Sequence, residues 1–415
     1  MRCLTPLWLS IALVGCQTVP TSPIPPGEAA PEAVAELEVA TSHERARALP
    51  PPPPLASRPP EAPTTDLGET LDFASVRGWS TLDAAPALAA FKRSCEAWSR
   101  ADGDAFLSPK LPQYGRFRDW RPACEAAGDA DQPRRFFEAY FRPVALDVPD
   151  AEEGLLTGYY EPELDVRRTP TPEFSEPILT RPASKSALKR PRAEVEPGAS
   201  EVIAYGRPID VFFMQIQGSG RLAFADGTRV RAAFGGHNGH PYTSIGRTLV
   251  EWGELDAGKA SKAAIEVWMA RAGAIKARHL MNQNRRYIYF EVQDLPPGTG
   301  PDGAMRVPLT AMGSMALDPA HHPYGTLAVL DTRLPTRARD FQGRPRQILV
   351  VGQDTGGAIK GPLRGDLFFG AGPKAGAKAG VMKHGARWTL LLPRGMDAVP
   401  DADLVASLAR ARLSP

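Results

Sequence analysis

Residues 351–372 read V-G-Q-D-T-G-G-A-I-K-G-P-L-R-G-D-L-F-F-G-A-G, a glycine-dense segment that carries two acids twelve positions apart, Asp354 and Asp366. An aspartic protease needs two carboxylates that share a proton, each on its own Asp-Thr/Ser-Gly loop, and the sequence has one such loop. A glycosidase needs an acid beside the scissile oxygen and an attacking group on the other side of the sugar. Acids among glycines also form ordinary turns, so the segment alone leaves a sugar-cleaving site and plain turns open.

The N-terminus has one basic residue and a short apolar run that ends in L-V-G-C at residues 13–16. The run is too short for a membrane span, which needs about 20 apolar residues, and is typical of a secretory signal peptide over residues 1–15. Its end resembles the bacterial lipoprotein cleavage site, which predicts lipid attachment at Cys16. Gln17 is not the aspartate that retains lipoproteins at the inner membrane, so we expect a lipid anchor at the periplasmic face of the outer membrane.

Residues 16–70 are rich in proline, alanine, serine and glutamate, with five consecutive prolines at 50–54. Such a segment buries too little apolar surface to offset the entropy lost on ordering, so the sequence predicts a disordered, semi-rigid tether. The rest of the chain is long enough to bury a substantial core. A formal net charge of +2 gives no indication of a nucleic-acid partner.

Two cysteines remain after the lipoprotein site, Cys95 and Cys124. An oxidising periplasm allows them to pair, but their spacing fits a disulfide and two buried thiols equally, and both stay open. His237-x-x-His240 has a spacing that invites a metal, but no third ligand is near it in the sequence, so a loop-ordering role is preferred. We expect neither a metal nor any other cofactor.

Periodicity and turn residues divide the rest of the chain into elements. Apolar residues at helical spacing predict helices at 81–100, 134–141, 244–255 and 261–272. Strands are predicted at 155–168, 203–205, 211–217, 286–292, 326–330, 347–351, 367–369 and 387–392, with a hairpin at 221–234 that turns at Asp226-Gly227. We expect residues 71–160 and 295–400 to form one discontinuous domain, into which residues 161–294 are inserted.

Five motifs occur together and in a fixed order. They are L-T-G-Y-Y-E-P (156–162), F-M-Q-I-Q-G-S-G (213–220), N-G-H-P-Y-T-S-I-G (238–246), M-N-Q-N (281–284) and the segment 351–372. In this combination the chain resembles the membrane-bound lytic murein transglycosylase A family, from about residue 80 to 395. The resemblance implies a mainly β fold with helical flanks: a double-psi β-barrel made by the discontinuous domain, an inserted second small β-barrel, and a groove between them.

The resemblance also implies a substrate and a reaction. The groove would hold a glycan strand of peptidoglycan, and the family cleaves the β-1,4 bond between N-acetylmuramic acid and N-acetylglucosamine without water, leaving a 1,6-anhydro ring. Asp366 matches the catalytic acid of the family, and Asp354 matches a nearby acid with a supporting role. Glycan strands and outer-membrane lipid are the expected partners, and other wall-remodelling proteins are further candidates.

A single acid suffices for this chemistry. The attacking group is the muramoyl C6 hydroxyl, which is tethered to the reacting ring, and well-oriented intramolecular attack reaches effective molarities of about 10⁵–10⁸ M. Asp366 must then be protonated when substrate arrives, although an unperturbed aspartate has a pKa of about 3.9. Burial against Phe368 and Phe369 and the charge of Asp354 are expected to raise its pKa.

Other motif residues are expected to line the groove. The predicted glycan-binding residues are Thr157, Tyr159, Tyr160, Gln217, Ser219, Gly220, Gly356, Gly357, Lys360 and Phe368. For the tyrosines the alternative is the strand core, for 217–220 a plain turn at a strand end, and for the lysine a surface position. Asp331 is expected to be structural, and His321-His322 to be a solvated turn. Two other functions remain open: a muramidase-type hydrolase that uses Asp354 and Asp366 together, and a non-catalytic wall-binding protein.

Overall fold

The computed structural model describes residues 66–256, 259–296 and 298–396. The predicted signal peptide, the lipidation site Cys16 and most of the predicted tether lie outside these residues. The strands are β1 (Asp66–Thr70), β2 (Phe141–Asp147), β3 (Gly154–Glu161), β4 (Glu163–Val166), β5 (Glu176–Leu179), β6 (Val202–Gly206), β7 (Gly220–Phe224), β8 (Arg229–His237), β9 (Ile288–Gln293), β10 (Ser314–Ala316), β11 (Leu327–Leu334), β12 (Arg344–Asp354), β13 (Arg364–Ala371) and β14 (Lys383–Pro393). The helices are α1 (Ala85–Trp98), α2 (Phe117–Ala127), α3 (Pro133–Tyr140), α4 (Lys185–Leu188), α5 (Pro208–Gln217), α6 (Ile245–Glu251), α7 (Lys262–Gln283) and α8 (Gly372–Ala379).

Six strands close into a barrel in the order β14-β11-β12-β10-β13-β3, with β3 pairing back onto β14. The pairs β10–β12 and β13–β3 are parallel, and the other pairs of the ring are antiparallel. Closure removes free sheet edges from the ring, and β1 and β2 extend the sheet from the side of β14. The predicted mainly β fold is confirmed, and β3 brings the early Y-Y-E-P motif beside the late segment 351–372.

Helices α1, α2 and α3 cover this barrel through an aromatic core. Phe91 is fully buried, and its ring centroid lies 5.4 Å from that of Phe141 in an edge-on arrangement. A disulfide joins Cys95 of α1 to Cys124 of α2, with the α-carbons 5.3 Å apart. Gln353, fully buried on β12, donates from its side-chain nitrogen to Ala90 O at 2.7 Å, which ties α1 to the strand that ends in Asp354.

The inserted segment forms a second ring of six strands. β4, β7, β8 and β9 form one sheet, and β5 and β6 form another. Isolated bridges between Arg167 and Tyr205 and between Thr180 and Phe290 join the two sheets, so that β6 meets the end of β4 and the end of β5 meets β9. The hairpin predicted at Asp226-Gly227 is present as β7–β8. This ring encloses its own apolar core, separate from that of the first barrel.

Residues 211–217, predicted as a strand, form the helix α5, so this prediction is wrong. A short apolar run cannot be assigned to strand or helix by periodicity alone when all of its faces are buried. The boundary residues carry the missing signal, since Pro208 occupies the first turn and Gly218 ends the helix with a φ of 89°. The helices α2 and α8 were also absent from the sequence-based assignment.

The predicted solvated turn at His321-His322 is wrong as well, because both residues are buried. His322 lies 2.6 Å from the hydroxyl of Tyr114 and 2.6 Å from the carbonyl oxygen of Pro362, and it stacks on Trp388 at 5.3 Å. Burial lowers the pKa of His322 to about 4, which keeps the ring neutral. Within the described residues, no helix has both the length and the apolar character that crossing a bilayer requires.

Candidate active site

The two acids of segment 351–372 lie on strands that flank β10. Ala316 of β10 pairs with Asp354 of β12 on one side and with Asp366 of β13 on the other. Asp366 in turn pairs with Thr157 of β3. With a strand spacing of about 4.8 Å, the α-carbons of the two acids are about 10 Å apart. The side chain between them is the methyl group of Ala316.

Asp366 has one strong hydrogen-bond partner. Thr157 Oγ1 donates to Asp366 Oδ1 at 2.6 Å, and Arg364 Nη2 donates to Thr157 Oγ1 at 2.8 Å. Because arginine can only donate, the threonine oxygen accepts from it and its own proton points at the carboxylate. Oδ1 is thereby fixed as an acceptor, and within the described residues Oδ2 has no hydrogen-bond partner. A proton bound by this carboxyl is therefore carried on Oδ2.

The surroundings of Asp366 favour its protonated form. Burial raises the pKa of this carboxyl to about 6, and the charge of Asp354 acts in the same direction. The hydrogen bond from Thr157 and the guanidinium of Arg364 oppose the increase. Near pH 6 the group is therefore poised to give and to take a proton.

Asp354 is held in a different way, with both oxygens engaged. Oδ2 accepts from the hydroxyl of Tyr159 at 2.9 Å, and Oδ1 accepts from the backbone N–H of Ala304 at 2.9 Å. Burial raises the pKa of Asp354, and the N–H groups of Ala304 and Thr355 and the Tyr159 hydroxyl oppose this. Burial, reinforced by Asp354, raises the pKa of Tyr159 well above its usual value, so the phenol stays a donor. This carboxyl is fixed in place rather than free to act.

Phe368 lies beneath the two acids and not at the surface of the groove. Its side chain is 1% exposed, and its ring centroid lies 5.3 Å from that of Tyr159. Alternation along β13 puts Phe368 on the same side as Asp366 and turns Phe369 into the barrel core. A ring this deeply buried cannot stack on a sugar, so the prediction that Phe368 contacts the glycan is corrected: it supplies apolar packing below the acids.

A cavity of about 170 Å³ lies where the two barrels meet. Gly158 and Tyr160 line it from β3, Gln217 from α5, and Tyr242 and Ser244 from the loop before α6. Gln217 Oε1 also accepts from the backbone N–H of Tyr160 at 3.0 Å, which links the inserted segment to the first barrel. Tyr242 is close enough to Asp366 for the acid to contribute to its raised pKa, after the larger effect of burial. Tyr242 thus lies between the cavity and the acid, although neither Asp366 nor Asp354 lines the cavity.

Ser219, Gly220, Gly356, Gly357 and Lys360 were also predicted to bind the glycan. Ser219 is buried after α5, and Gly220 begins β7, where an added Cβ would lie 2.5 Å from Met214 Sδ. Gly356 and Gly357 form the loop after β12, and a Cβ on Gly357 would lie 3.9 Å from Tyr242 Cβ across the groove. Lys360 is exposed, with Nζ 3.6 Å from Asp318 Oδ1.

The described residues hold no group of three or more histidine, cysteine, aspartate or glutamate side chains placed to bind a metal. His237 Nδ1 accepts from the backbone N–H of Gly239 at 2.9 Å, and His240 Nε2 lies 3.0 Å from the carbonyl oxygen of Lys189. The two histidines thus order the loop that carries Tyr242.

Comparison with known proteins gives this site its context. Residues 185–291 match the family model described as "MltA specific insert domain", and residues 313–392 match the "3D domain" model. The chain is 34% identical over 284 residues to the membrane-bound lytic murein transglycosylase A of Escherichia coli K12, covering 67% of this chain and 75% of that one. This chain belongs to the membrane-bound lytic murein transglycosylase A family. The resemblance seen in its motifs is thereby confirmed.

Solved structures of the family share the fold. The membrane-bound lytic murein transglycosylase of Agrobacterium tumefaciens superposes with a TM-score of 0.67 at 28% identity, over 80% of this chain and 98% of that one. The Escherichia coli MltA with bound chitohexaose gives a TM-score of 0.61 at 28% identity, over 79% and 94% of the two chains.

Three contributors to the site of this lytic murein transglycosylase A family member were not predicted from the sequence. Arg364 lies two positions before Asp366, and the period of two along a strand places both on one face, which was a usable signal. Tyr242 stood in a quoted motif without an assigned role. The N–H of Ala304 gave no signal, because any residue but proline supplies one.

Proposed function

We propose that this protein is a lytic transglycosylase that cleaves the β-1,4 bond between N-acetylmuramic acid and N-acetylglucosamine in peptidoglycan, with Asp366 as the single general acid and base. The observation that carries this proposal is the unequal state of the two acids. Asp354 has both oxygens occupied by protein donors, whereas Asp366 keeps Oδ2 without a partner among the described residues. The chitohexaose bound to the Escherichia coli relative supports a glycan ligand for the groove.

The reaction follows from this arrangement. Protonated Asp366 gives its Oδ2 proton to the glycosidic oxygen as the bond to the muramoyl C1 breaks. The C6 hydroxyl of the same ring attacks C1 and forms the 1,6-anhydro bond, and the hydroxyl proton passes to the Asp366 carboxylate. The acid is thus regenerated without water, and the tethered hydroxyl accounts for about 7–11 kcal/mol of barrier reduction. Thr157 and Arg364 act as positioning residues that keep the mobile proton on Oδ2.

Mass spectrometry of digested peptidoglycan tests the reaction type directly. We expect every newly formed muramoyl end to be lighter by one water than a reducing end, because the attacking hydroxyl belongs to the sugar. Digestion in ¹⁸O-labelled water provides the control, since these ends should carry no label. Labelled reducing ends would show instead a hydrolase that uses Asp354 and Asp366 as a pair.

The pH profile tests the state of Asp366. Since the proposed acid must be protonated before the bond breaks, kcat/KM should be highest below pH about 6 and should fall as the pH rises through that value. Thr157→Val removes a hydrogen bond that lowers this pKa, so the midpoint should move up. Asp354→Asn removes a charge that raises the pKa, so the midpoint should move down.

These opposite shifts separate Asp366 from other titrating groups. A midpoint that stays in place in both variants, or a rate that is flat from acid to neutral pH, would exclude Asp366 as the titrating acid.

The location and domain boundaries form part of the same proposal. Residues 1–15 would act as a signal peptide, Cys16 as the lipidated residue and 16–65 as a tether to the periplasmic face of the outer membrane. The predicted tether extended to residue 70, but residues 66–70 form β1 and pair with β2, so its end is corrected. The relatives carry "membrane-bound" in their names, which supports an anchor. Residues 71–160 with 295–400 would be the catalytic domain and 161–294 the insert, consistent with family matches at 313–392 and 185–291.

A further inference from the structure

A second and larger cavity, of about 500 Å³, opens at an end of the first barrel away from the two acids. Met312, Leu334 and Phe369 contribute apolar side chains to its lining. Arg346 of β12 and Lys374 and Lys378 of α8 supply three cationic side chains. We call this feature the cationic pocket. Neither the family comparison nor the reaction proposed above makes use of it.

The charges of the cationic pocket are unbalanced. No acid lines it, and within the described residues none of its three cations forms an ion pair. Asp340, in the turn after β11, is not part of the lining; its carboxylate accepts from the N–H and the hydroxyl of Thr336 at 2.9 and 2.8 Å. Lys374 and Lys378 are four positions apart on one helix, an arrangement of like charges that costs helix stability. A concave site with three uncompensated cations favours a ligand that carries several negative charges.

The position of α8 relates the cationic pocket to the groove. Lys374 and Lys378 line the cationic pocket, whereas Ala379 and Gly380 line the groove cavity. Between them, Gly376 packs against the ring of Tyr160, where an added Cβ would lie 2.6 Å from the ring. The two cavities are thus separated by the width of one helix, about 10–12 Å. A branch of four extended residues reaches about 13–14 Å, enough to cross it.

We infer that the cationic pocket binds the carboxylates of a short acidic peptide attached to the glycan strand in the groove, namely the peptide stem of peptidoglycan. This inference rests on the proposed function for its glycan. The cations pair with the peptide carboxylates, and the apolar lining accepts small aliphatic side chains. The pocket then selects stem-bearing strands, although the bond that breaks lies in the sugar chain.

The double variant Lys374→Gln/Lys378→Gln tests this inference on two substrates, intact peptidoglycan and glycan strands stripped of their stems by an amidase. On the intact substrate KM should rise about tenfold with kcat unchanged, the loss expected from two charge-assisted contacts. On the stripped strands both constants should equal those of the wild type. Arg271→Gln/Lys276→Gln, which removes two exposed charges from the inserted segment, is the matched control and should leave both substrates unaffected.

A binding experiment judges the cationic pocket without any activity. Titration calorimetry with a free tetrapeptide that carries three carboxylates should show binding to the wild type, about tenfold weaker binding to the double variant, and none for the fully amidated peptide. Equal affinity of wild type and double variant, or equal KM changes on intact and stripped strands, would overturn the inference. If the wild type cleaves neither substrate, the proposed function fails, while the calorimetry still decides whether the cationic pocket binds acidic peptides.

Discussion

Asp366→Asn should lower the turnover of peptidoglycan by about 10³–10⁴-fold and leave binding to sacculi unchanged. General acid–base catalysis contributes about 10²–10⁴-fold, and the upper part of this range applies because one side chain serves both proton transfers. Asparagine preserves the shape of the carboxyl and accepts the 2.6 Å hydrogen bond from Thr157, but it has no proton to give. Release of soluble fragments from labelled sacculi measures turnover, and co-sedimentation with sacculi measures binding.

Two matched variants make this result specific. Asp331→Asn makes the same chemical change in an acid of the same barrel that is bonded to Arg77 and Gln347, and it should leave turnover unchanged. Asp354→Asn should cost only about tenfold, or 1.4 kcal/mol of barrier, because this acid positions its neighbours and transfers no proton. Equal losses in the Asp354 and Asp366 variants would support a two-carboxylate hydrolase, and full activity of Asp366→Asn would refute the proposed mechanism.

The strands could be predicted from the sequence more readily than their partners. Alternation and glycine turns placed strands at 155–168 and 367–369, but nothing local specifies that β3 runs parallel to β13. That pairing brings Thr157 to Asp366 across 209 positions of the chain. Long-range register depends on which surfaces become buried together, so the architecture was predictable through the family resemblance rather than through periodicity.

Helix α8 was not predicted from the sequence because tertiary packing stabilises it. Helix α8 reads G-P-K-A-G-A-K-A, whose glycines have low helix propensity. Its Gly376 admits the ring of Tyr160, so the feature that weakens the isolated helix also allows it to pack on β3. The neighbouring Tyr159 points to the opposite face of β3, and its hydroxyl donates to Asp354. Alternation along a strand predicts that the two tyrosines face opposite sides, but it does not specify which of them faces the acid.

No role was predicted for Glu161 from the sequence. It lies where the chain leaves the first barrel after β3 and close to where the chain returns after β9. The side chain is fully buried at the end of β3. Arg221 Nε donates to its Oε2 at 2.8 Å, and Arg231 Nε donates to its Oε1 at 2.6 Å. Both arginines, paired on β7 and β8, also donate to the carbonyl oxygen of Thr299 at 3.1 and 2.8 Å, on the return segment after β9. This ion cluster therefore links the segment that leaves the first barrel to the segment that returns to it.

Glu161→Gln should therefore destabilise the protein by about 3–5 kcal/mol, because it leaves buried guanidinium charge without a counter-charge. The melting temperature should fall by about 10 °C, as followed by circular dichroism. Glu163→Gln is the matched control two positions along, since its pair with Arg229 is solvent-exposed, with side-chain exposures of 33% and 57%. A surface pair of this kind is worth about 0–1 kcal/mol, so its loss should shift the melting temperature by no more than about 3 °C.

The double variant Glu161→Gln/Arg231→Gln identifies the source of the loss. If unpaired charge causes the destabilisation, removing a charge of each sign should recover about 1–3 kcal/mol relative to the sum of the single changes. Simple additivity, or a Glu161→Gln melting temperature within about 2 °C of that of Glu163→Gln, would mean that the cluster does not secure the two crossings. Because Thr157, Tyr159 and Glu161 lie on one strand, a loosened cluster should also displace the Thr157 donor from Asp366, so kcat should fall before the fold is lost.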